Sequence, residues 1–335
     1  MVKRVEIVAP AGNLSSLKAA SESGADAVYA GFNDETNARN FEGLNFTIPE
    51  LEEGRSLLRK KGKKLYLAIN TFPQREGFSK WKDAVDSAVK INPDAIILAD
   101  TGVLSYARSK YPGINIHLSV QASSSNHESI GFYKKHFNIK RLVLPRVHTV
   151  EEIKALRQKT GVEIEVFALG GLCINIEGRC YLSSYVTGAS TNTGGACSPS
   201  RFVRFENKDD GRLLIRLNKT LLNDLSKDET SPYPTCCKGR YVMPDKRIFY
   251  AMEDPESLNA IPILPGLIEA GISALKIEGR QRTKTYVSDV TNILREAVDS
   301  YYESPSSYEV KENWKRVAVS TFEGASQTTG AYGGK

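Results

Sequence analysis

VEIVAPAGNLSSLKAASESGADAVYAGF, residues 5–32, sets the pattern for the chain. Residues 5–10 are a short apolar run rich in β-branched side chains, the composition of a buried strand. Asn13 is placed to cap a helix over LSSLKAASES, and Gly24 closes it. Residues 26–32, DAVYAGF, form a second apolar run. Strand, helix, strand is the repeating unit of a parallel sheet covered by helices.

The unit recurs on the C-terminal side. KLYLAIN (64–70) follows the charged helical segment PELEEGRSLLRKKGKK, and DAIILAD (94–100) follows the amphipathic WKDAVDSAVKI. INIHLSVQ (114–121), RLVLPR (141–146), VEIEVFALG (162–170) and SALKIEG (273–279) continue the series. A long helix around TYVSDVTNILREAVDSYYE comes last. Eight strands mostly separated by helices predict an α/β fold, a (β/α)8 TIM-like barrel rather than an open doubly wound sheet. The expectation is a single domain over residues 1–335.

One interval breaks the spacing. Roughly 100 residues separate the seventh run from the eighth, and they contain every cysteine. An insertion over 171–260 after the seventh strand would emerge at the C-terminal face, where barrel active sites are built. The polar residues at the strand ends are therefore candidates: Asn70, Thr71, Asp100, Gln121, Arg146, Lys276, Glu278 and Arg280. The glycine-rich tail FEGASQTTGAYGGK reads as a coil or as a strap over the barrel.

Composition narrows the function. Hydrophobic residues at 41% and charged residues at 25% are ordinary for a globular domain, and a net charge of +6 over 335 residues does not mark a nucleic-acid binder. The N-terminus lacks a signal-peptide core, and no run approaches the roughly 20 apolar residues of a membrane span. A cytoplasmic setting is expected, where five cysteines stay reduced and serve metals or catalysis.

Cys173, Cys180, Cys197 and Cys237 read C-x6-C-x16-C-x39-C. Zinc knuckles pair their ligands tightly, and no such pair exists here. A bulkier iron–sulfur cluster takes thiolates from separated loops. Spacing alone leaves iron–sulfur, zinc and unligated thiols open. Arg179, Arg201, Arg204, Lys238 and Arg240 lie nearby in sequence, suited to offset a cluster's charge or to grip a carboxylate. HExxH, Walker A, G-x-S-x-G and G-x-G-x-x-G patterns are all missing. His117 sits within a strand and reads as core, and no base is placed to activate Ser183 or Ser184.

Residues 165–183, EVFALGGLCINIEGRCYLS, resemble the signature of the peptidase U32 family, with Gly171 where the family usually has Ser or Ala. APAGN, GADAVYAG, DETNARNFEGLNF, AINTF, SVQAS, VLPR, CSPSRFVR, YPTCCKGRY, SLN and KIEGRQR extend the likeness over nearly the whole chain. DETNARNFEGLNF and QTTGAY are similar to members that act in O2-independent ubiquinone biosynthesis.

The resemblance implies a [4Fe–4S] cluster on Cys173, Cys180, Cys197 and Cys237, with Cys236 as the spare thiol. It implies hydroxylation of ubiquinone precursors under anaerobic conditions, prephenate as oxygen source, and a heterodimer with a UbiV-like family member. Arg179, Lys276, Glu278 and Arg280 are the candidate substrate and catalytic residues. An RNA-hydroxylating member and a peptidase are the alternatives. RNA-hydroxylating relatives carry additional C-terminal domains, which weighs toward the quinone branch.

Overall fold

The computed structural model describes residues 4–321, 323–324 and 326–334. Eight strands form a closed parallel barrel: β1 (Glu6–Pro10), β2 (Ala27–Gly31), β3 (Lys64–Ile69), β4 (Ala95–Leu98), β5 (Ile116–Leu118), β6 (Arg141–Val143), β7 (Glu163–Gly171) and β8 (Ala274–Ile277). Closure comes from β8, which pairs in parallel with β1 (Glu6 opposite Ala274) and with β7 (Glu165 opposite Ala274). All eight coincide with the apolar runs, because a strand buried on both faces must be apolar at nearly every position.

Alternation along each strand divides the side chains between two environments. Ile7, Ala9, Val28, Leu65, Leu67, Ile96 and Leu98 belong to the core between the barrel and its helices. Val8, Ala27, Tyr29, Tyr66, Ala68, Ala95, Ile97 and Ala274 form a separate cluster inside the barrel. Each helix turns an apolar stripe inward. On α3 (Phe78–Ile91) that stripe is Trp81, Ala84, Val85, Ala88 and Ile91, at the spacing of one helical face. The helix starts are specified locally. Asn13 accepts the Ser16 N–H at 2.8 Å at the head of α1 (Leu14–Glu22), and Thr47 forms a capping box with Glu50 on α2 (Ile48–Lys60).

Ions occupy much of the lower barrel interior. Arg141 Nη1 lies 2.8 Å from Glu6 and 3.1 Å from Glu165, while Lys276 Nζ lies 2.6 Å from the other Glu165 oxygen. Tyr66 donates to Glu6 at 2.5 Å, and His117 packs edge-on against Tyr66 with ring centroids 4.7 Å apart. His117 is therefore a packed interior residue, and burial holds its imidazole down at about 3, hence neutral.

Between β7 and β8 the chain builds a three-stranded antiparallel sheet (Val203–Asn207, Leu213–Leu217, Thr220–Leu225) and a short hairpin (Arg240–Val242 with Ile248–Tyr250). Ile215, Leu217, Leu222, Leu225 and Cys236 make a small core beneath them. The strand Glu256–Asn259 then returns antiparallel to β7. The tail is a strap: Ser326–Thr328 pairs with Glu256–Asn259, and the Tyr332 hydroxyl donates to the Phe167 carbonyl at 2.9 Å. Phe322, Ala325 and Lys335 of the tail, and Met1–Lys3, lie outside the described residues. Among the described residues, no helix is long and apolar enough to cross a membrane.

Candidate functional site

Cys173, Cys180, Cys197 and Cys237 line one cavity of about 100 Å³ above the C-terminal end of the barrel. The backbone carries them there by close contacts. β7 ends at Gly170, whose φ of +125° lets the chain pass within reach of Glu278; a Cβ would lie 2.7 Å from the Glu278 carbonyl oxygen. Gly178 (φ +78°) presses the loop between the first two cysteines onto β5's end, where a Cβ would sit 2.0 Å from the Gln121 carbonyl oxygen. Asn192 clasps Cys180 from both sides, accepting its N–H at 3.3 Å and donating to its carbonyl at 3.1 Å. The Arg39 N–H donates to the Gly195 carbonyl at 2.7 Å, fixing the approach to Cys197. Ser198 donates to the Pro234 carbonyl at 2.6 Å and ties that segment to the turn bearing Cys237.

Cys236 does not line this cavity. It is buried among leucines and Ile215, while Cys237 lines the cavity with its Sγ 3.1 Å from Thr235 Oγ1. Burial pushes the Cys173 thiol up to about 12 and Cys237 to about 11, and raises Cys197 as well. Arg39 opposes the shift at Cys173 and Cys197, and Arg146 opposes it at Cys173. Without a bound cation these thiols stay protonated; ligation must displace the protons. Among the described residues, no three Cys, His, Asp or Glu groups converge to hold a single metal ion. Four thiols at one cavity, with no two ligands closely paired in sequence, suit a multi-iron cluster better than one tetrahedral zinc.

A second cavity of about 60 Å³ opens into the barrel mouth, lined by Tyr29, Asn70, Ser119, Phe167, Lys276 and Arg280 among others. Arg39, Gln121, Glu177 and Glu278 line both cavities and form the wall between them. Arg39 Nε meets Glu278 Oε1 at 3.1 Å, and Glu278 Oε2 accepts the Gly171 N–H at 3.3 Å. Arg146 pairs with Glu177 and stacks 3.7 Å above the Phe167 ring. The two wall carboxylates differ. Burial lifts the Glu177 carboxyl against Arg146, whereas at Glu278 Arg39, Arg146 and the Gly171 N–H outweigh burial and hold it below its usual range.

Of the strand-end residues, Asn70, Gln121, Arg146, Lys276, Glu278 and Arg280 reach this mouth. Thr71 and Asp100 do not. Thr71 accepts from the Trp81 indole at 3.2 Å, and Asp100 caps α4 (Thr101–Lys110). Lys276 is held by Glu165, with its ammonium 3.9 Å from the Tyr29 ring centroid. Arg179 stands apart from Lys276, Glu278 and Arg280: it is exposed, with its guanidinium over Phe72. Arg201 and Arg204 are also exposed, and Arg240 pairs with Glu229. Of the five cations near the cysteines in sequence, Lys238 alone lines the cysteine cavity. Ser183 lines it too, whereas the Ser184 hydroxyl is spent on the Tyr181 carbonyl. No histidine lines either cavity.

Sequence reasoning missed Arg39, Asn37 and Glu177. Arg39 and Asn37 sit on the long loop after β2, and Glu177 lies between the first two cysteines; position after a barrel strand was the available signal.

The profile of peptidase family U32 matches residues 12–334. The chain belongs to peptidase family U32. The U32 relatives include the "tRNA hydroxylation protein P1" of Bacillus subtilis, 33% identical over 314 residues that cover 94% of this chain and 68% of that protein. The "tRNA hydroxylation protein P" of Escherichia coli is 30% identical over 311 residues, 88% of this chain and 68% of the relative. A U32 protein of Porphyromonas gingivalis named "Collagenase" is 30% identical over 330 residues, covering 96% and 72%.

Proposed function

We propose that this U32 protein is the iron–sulfur subunit of an O2-independent hydroxylase of the UbiU type, acting on ubiquinone precursors with a UbiV-like partner and prephenate as oxygen source. One observation carries the reading: four thiols from separate segments share a cavity whose wall is also the wall of a cation-lined barrel mouth. Relatives named for hydroxylation support the reaction class, and the DETNARNFEGLNF and QTTGAY segments support the quinone branch.

Cys173, Cys180, Cys197 and Cys237 would hold a [4Fe–4S] cluster, which when bound supplies redox or Lewis-acid chemistry. The chain's own residues do the rest. Arg39 and Lys238 offset negative charge at the cysteine cavity. Glu177, lifted by burial, is the better proton holder, and Glu278, kept ionised by Arg39, the better acceptor; two carboxyls pushed apart divide donor and acceptor roles.

The test is anaerobic reconstitution of the protein with a UbiV-like partner, prephenate and a ubiquinone precursor. Prephenate-dependent hydroxylation, lost in Cys180→Ala, is the expected result; no turnover with a fully loaded cluster would sink the quinone assignment. The names of the tRNA-hydroxylating relatives favour a second reading, RNA hydroxylation. A hydroxylated nucleoside that disappears from tRNA when the gene is deleted would decide for it. The name "Collagenase" invites a peptidase reading, but the cavities offer no histidine to activate a nucleophile.

A further inference from the structure

The turn that supplies Cys237 also brings a hydroxyl to its sulfur. Thr235 lines the cysteine cavity, is 4% exposed, and places Oγ1 3.1 Å from Cys237 Sγ. The backbone fixes it there: the Thr235 N–H donates to the Tyr233 carbonyl at 2.8 Å, and the Thr235 carbonyl accepts the Lys238 N–H at 3.1 Å. Among the described residues, Cys237 Sγ is the one partner of that hydroxyl. Between an alcohol and a thiol either group can donate. A thiolate bound to iron has no proton left, so the hydroxyl must then be the donor.

The four cysteines are not served alike. At Cys173 the thiol itself is the donor, 3.8 Å from the Asn175 carbonyl, and that bond ends when the proton leaves. Asn192 holds Cys180 through its backbone, not through its sulfur. Cys197 has a hydroxyl partner in Tyr233, which also lines the cavity. Both hydroxyls therefore come from one short segment, and both serve the two later cysteines. A hydrogen bond to a ligand sulfur draws charge from it, and the more electron-rich reduced cluster gains more from that bond than the oxidised one.

We infer that Thr235 is a positioning residue that raises the reduction potential of the cluster by donating its hydroxyl proton to Cys237 Sγ. The inference rests on the cluster assignment of the proposed function and names a residue that tunes it. Redox titration of the anaerobically purified, iron-loaded protein tests it, followed by electron paramagnetic resonance of the reduced cluster. Thr235→Val keeps the shape and removes the hydroxyl. It should hold as much iron and sulfide as wild type, with a midpoint potential shifted to a more negative value. Thr235→Ser, which restores the hydroxyl, should bring the potential back toward wild type. In D2O, electron–nuclear double resonance should show one exchangeable proton coupling fewer in Thr235→Val than in wild type.

A purely structural threonine would leave the potential where it is. An unmoved potential in fully loaded Thr235→Val, or a Thr235→Ser protein that behaves like Thr235→Val, would overturn the inference. Failure of Thr235→Val to load iron would also overturn it, by making the hydroxyl a requirement for ligation instead of a tuning group. The two readings fail separately. Wild type without iron and sulfide removes the cluster and the inference together, whereas a loaded protein indifferent to Thr235 removes the inference alone.

Discussion

Cys236 and Cys237 are adjacent in sequence and opposite in surroundings. The first packs into the small core of the inter-strand segment, and the second lines the cavity that three other cysteines line. Cys236→Ala should leave iron and sulfide content at the wild-type level and cost about 1–2 kcal/mol in urea unfolding, the penalty of a small void in an apolar cluster. Iron loss in that variant would reverse the assignment. Glu165 shows a different kind of dependence. It contacts both Arg141 and Lys276 inside the barrel, so Glu165→Gln should destabilise by about 3–5 kcal/mol; equilibrium denaturation that finds it neutral would refute the ionic account of the interior. The cysteines were legible because thiols in a reduced setting are few and chemically marked. Arg39 and Glu177 were not, because a lone charge in a loop looks alike whether it meets water or a buried partner.

At the scale of elements, legibility follows how local the determining interactions are. The eight barrel strands announce themselves by continuous apolar runs, and Asn13 and Thr47 mark their helices by caps that depend on neighbours a few residues away. The strand Val203–Asn207 has two intermediate and three exposed residues, so it carries no such run. The tail strand Ser326–Thr328 exists through pairing with Glu256–Asn259, a contact no local pattern encodes. Tyr332→Phe, which removes the hydroxyl bond to Phe167, should cost about 1 kcal/mol in the same denaturation measurement. Gly178 is the more consequential hinge. Gly178→Ala should displace the loop bearing Cys173 and Cys180 and lower iron content while the barrel's far-ultraviolet circular dichroism stays native, because the clash is with the Gln121 carbonyl rather than within the core. Full iron loading in Gly178→Ala would show that the close approach is dispensable.

For the whole molecule, the ionic barrel interior makes stability depend on pH. His117 is held neutral, its imidazole pushed from 6.5 down to about 3 first by burial and then by Arg141. The unfolded chain therefore takes up a proton below about 6.5 that the folded chain refuses, and stability falls as pH drops from there toward 3. Glu6 adds a second loss. Burial alone would raise its carboxyl, but Arg141, Lys64 and Tyr66 bring it from 4.5 down to about 2. Its stabilisation is full above about pH 4.5 and fades as pH falls toward 2, a loss of about 3 kcal/mol. Denaturation midpoints should decline from pH 6.5 downward and steepen below 4.5; a flat profile from 6.5 to 4 would contradict the His117 contribution.

The same architecture that buries these ions sets the cysteine cavity and the barrel mouth side by side. The central claim is that the four cysteines hold an iron–sulfur cluster there. Counting iron, acid-labile sulfide and zinc per chain in anaerobically purified wild type and Cys180→Ala tests it most directly. The account predicts about four irons with matching sulfide in wild type, both lost in the variant. Stoichiometric zinc without sulfide, or iron indifferent to the loss of Cys180, would contradict it.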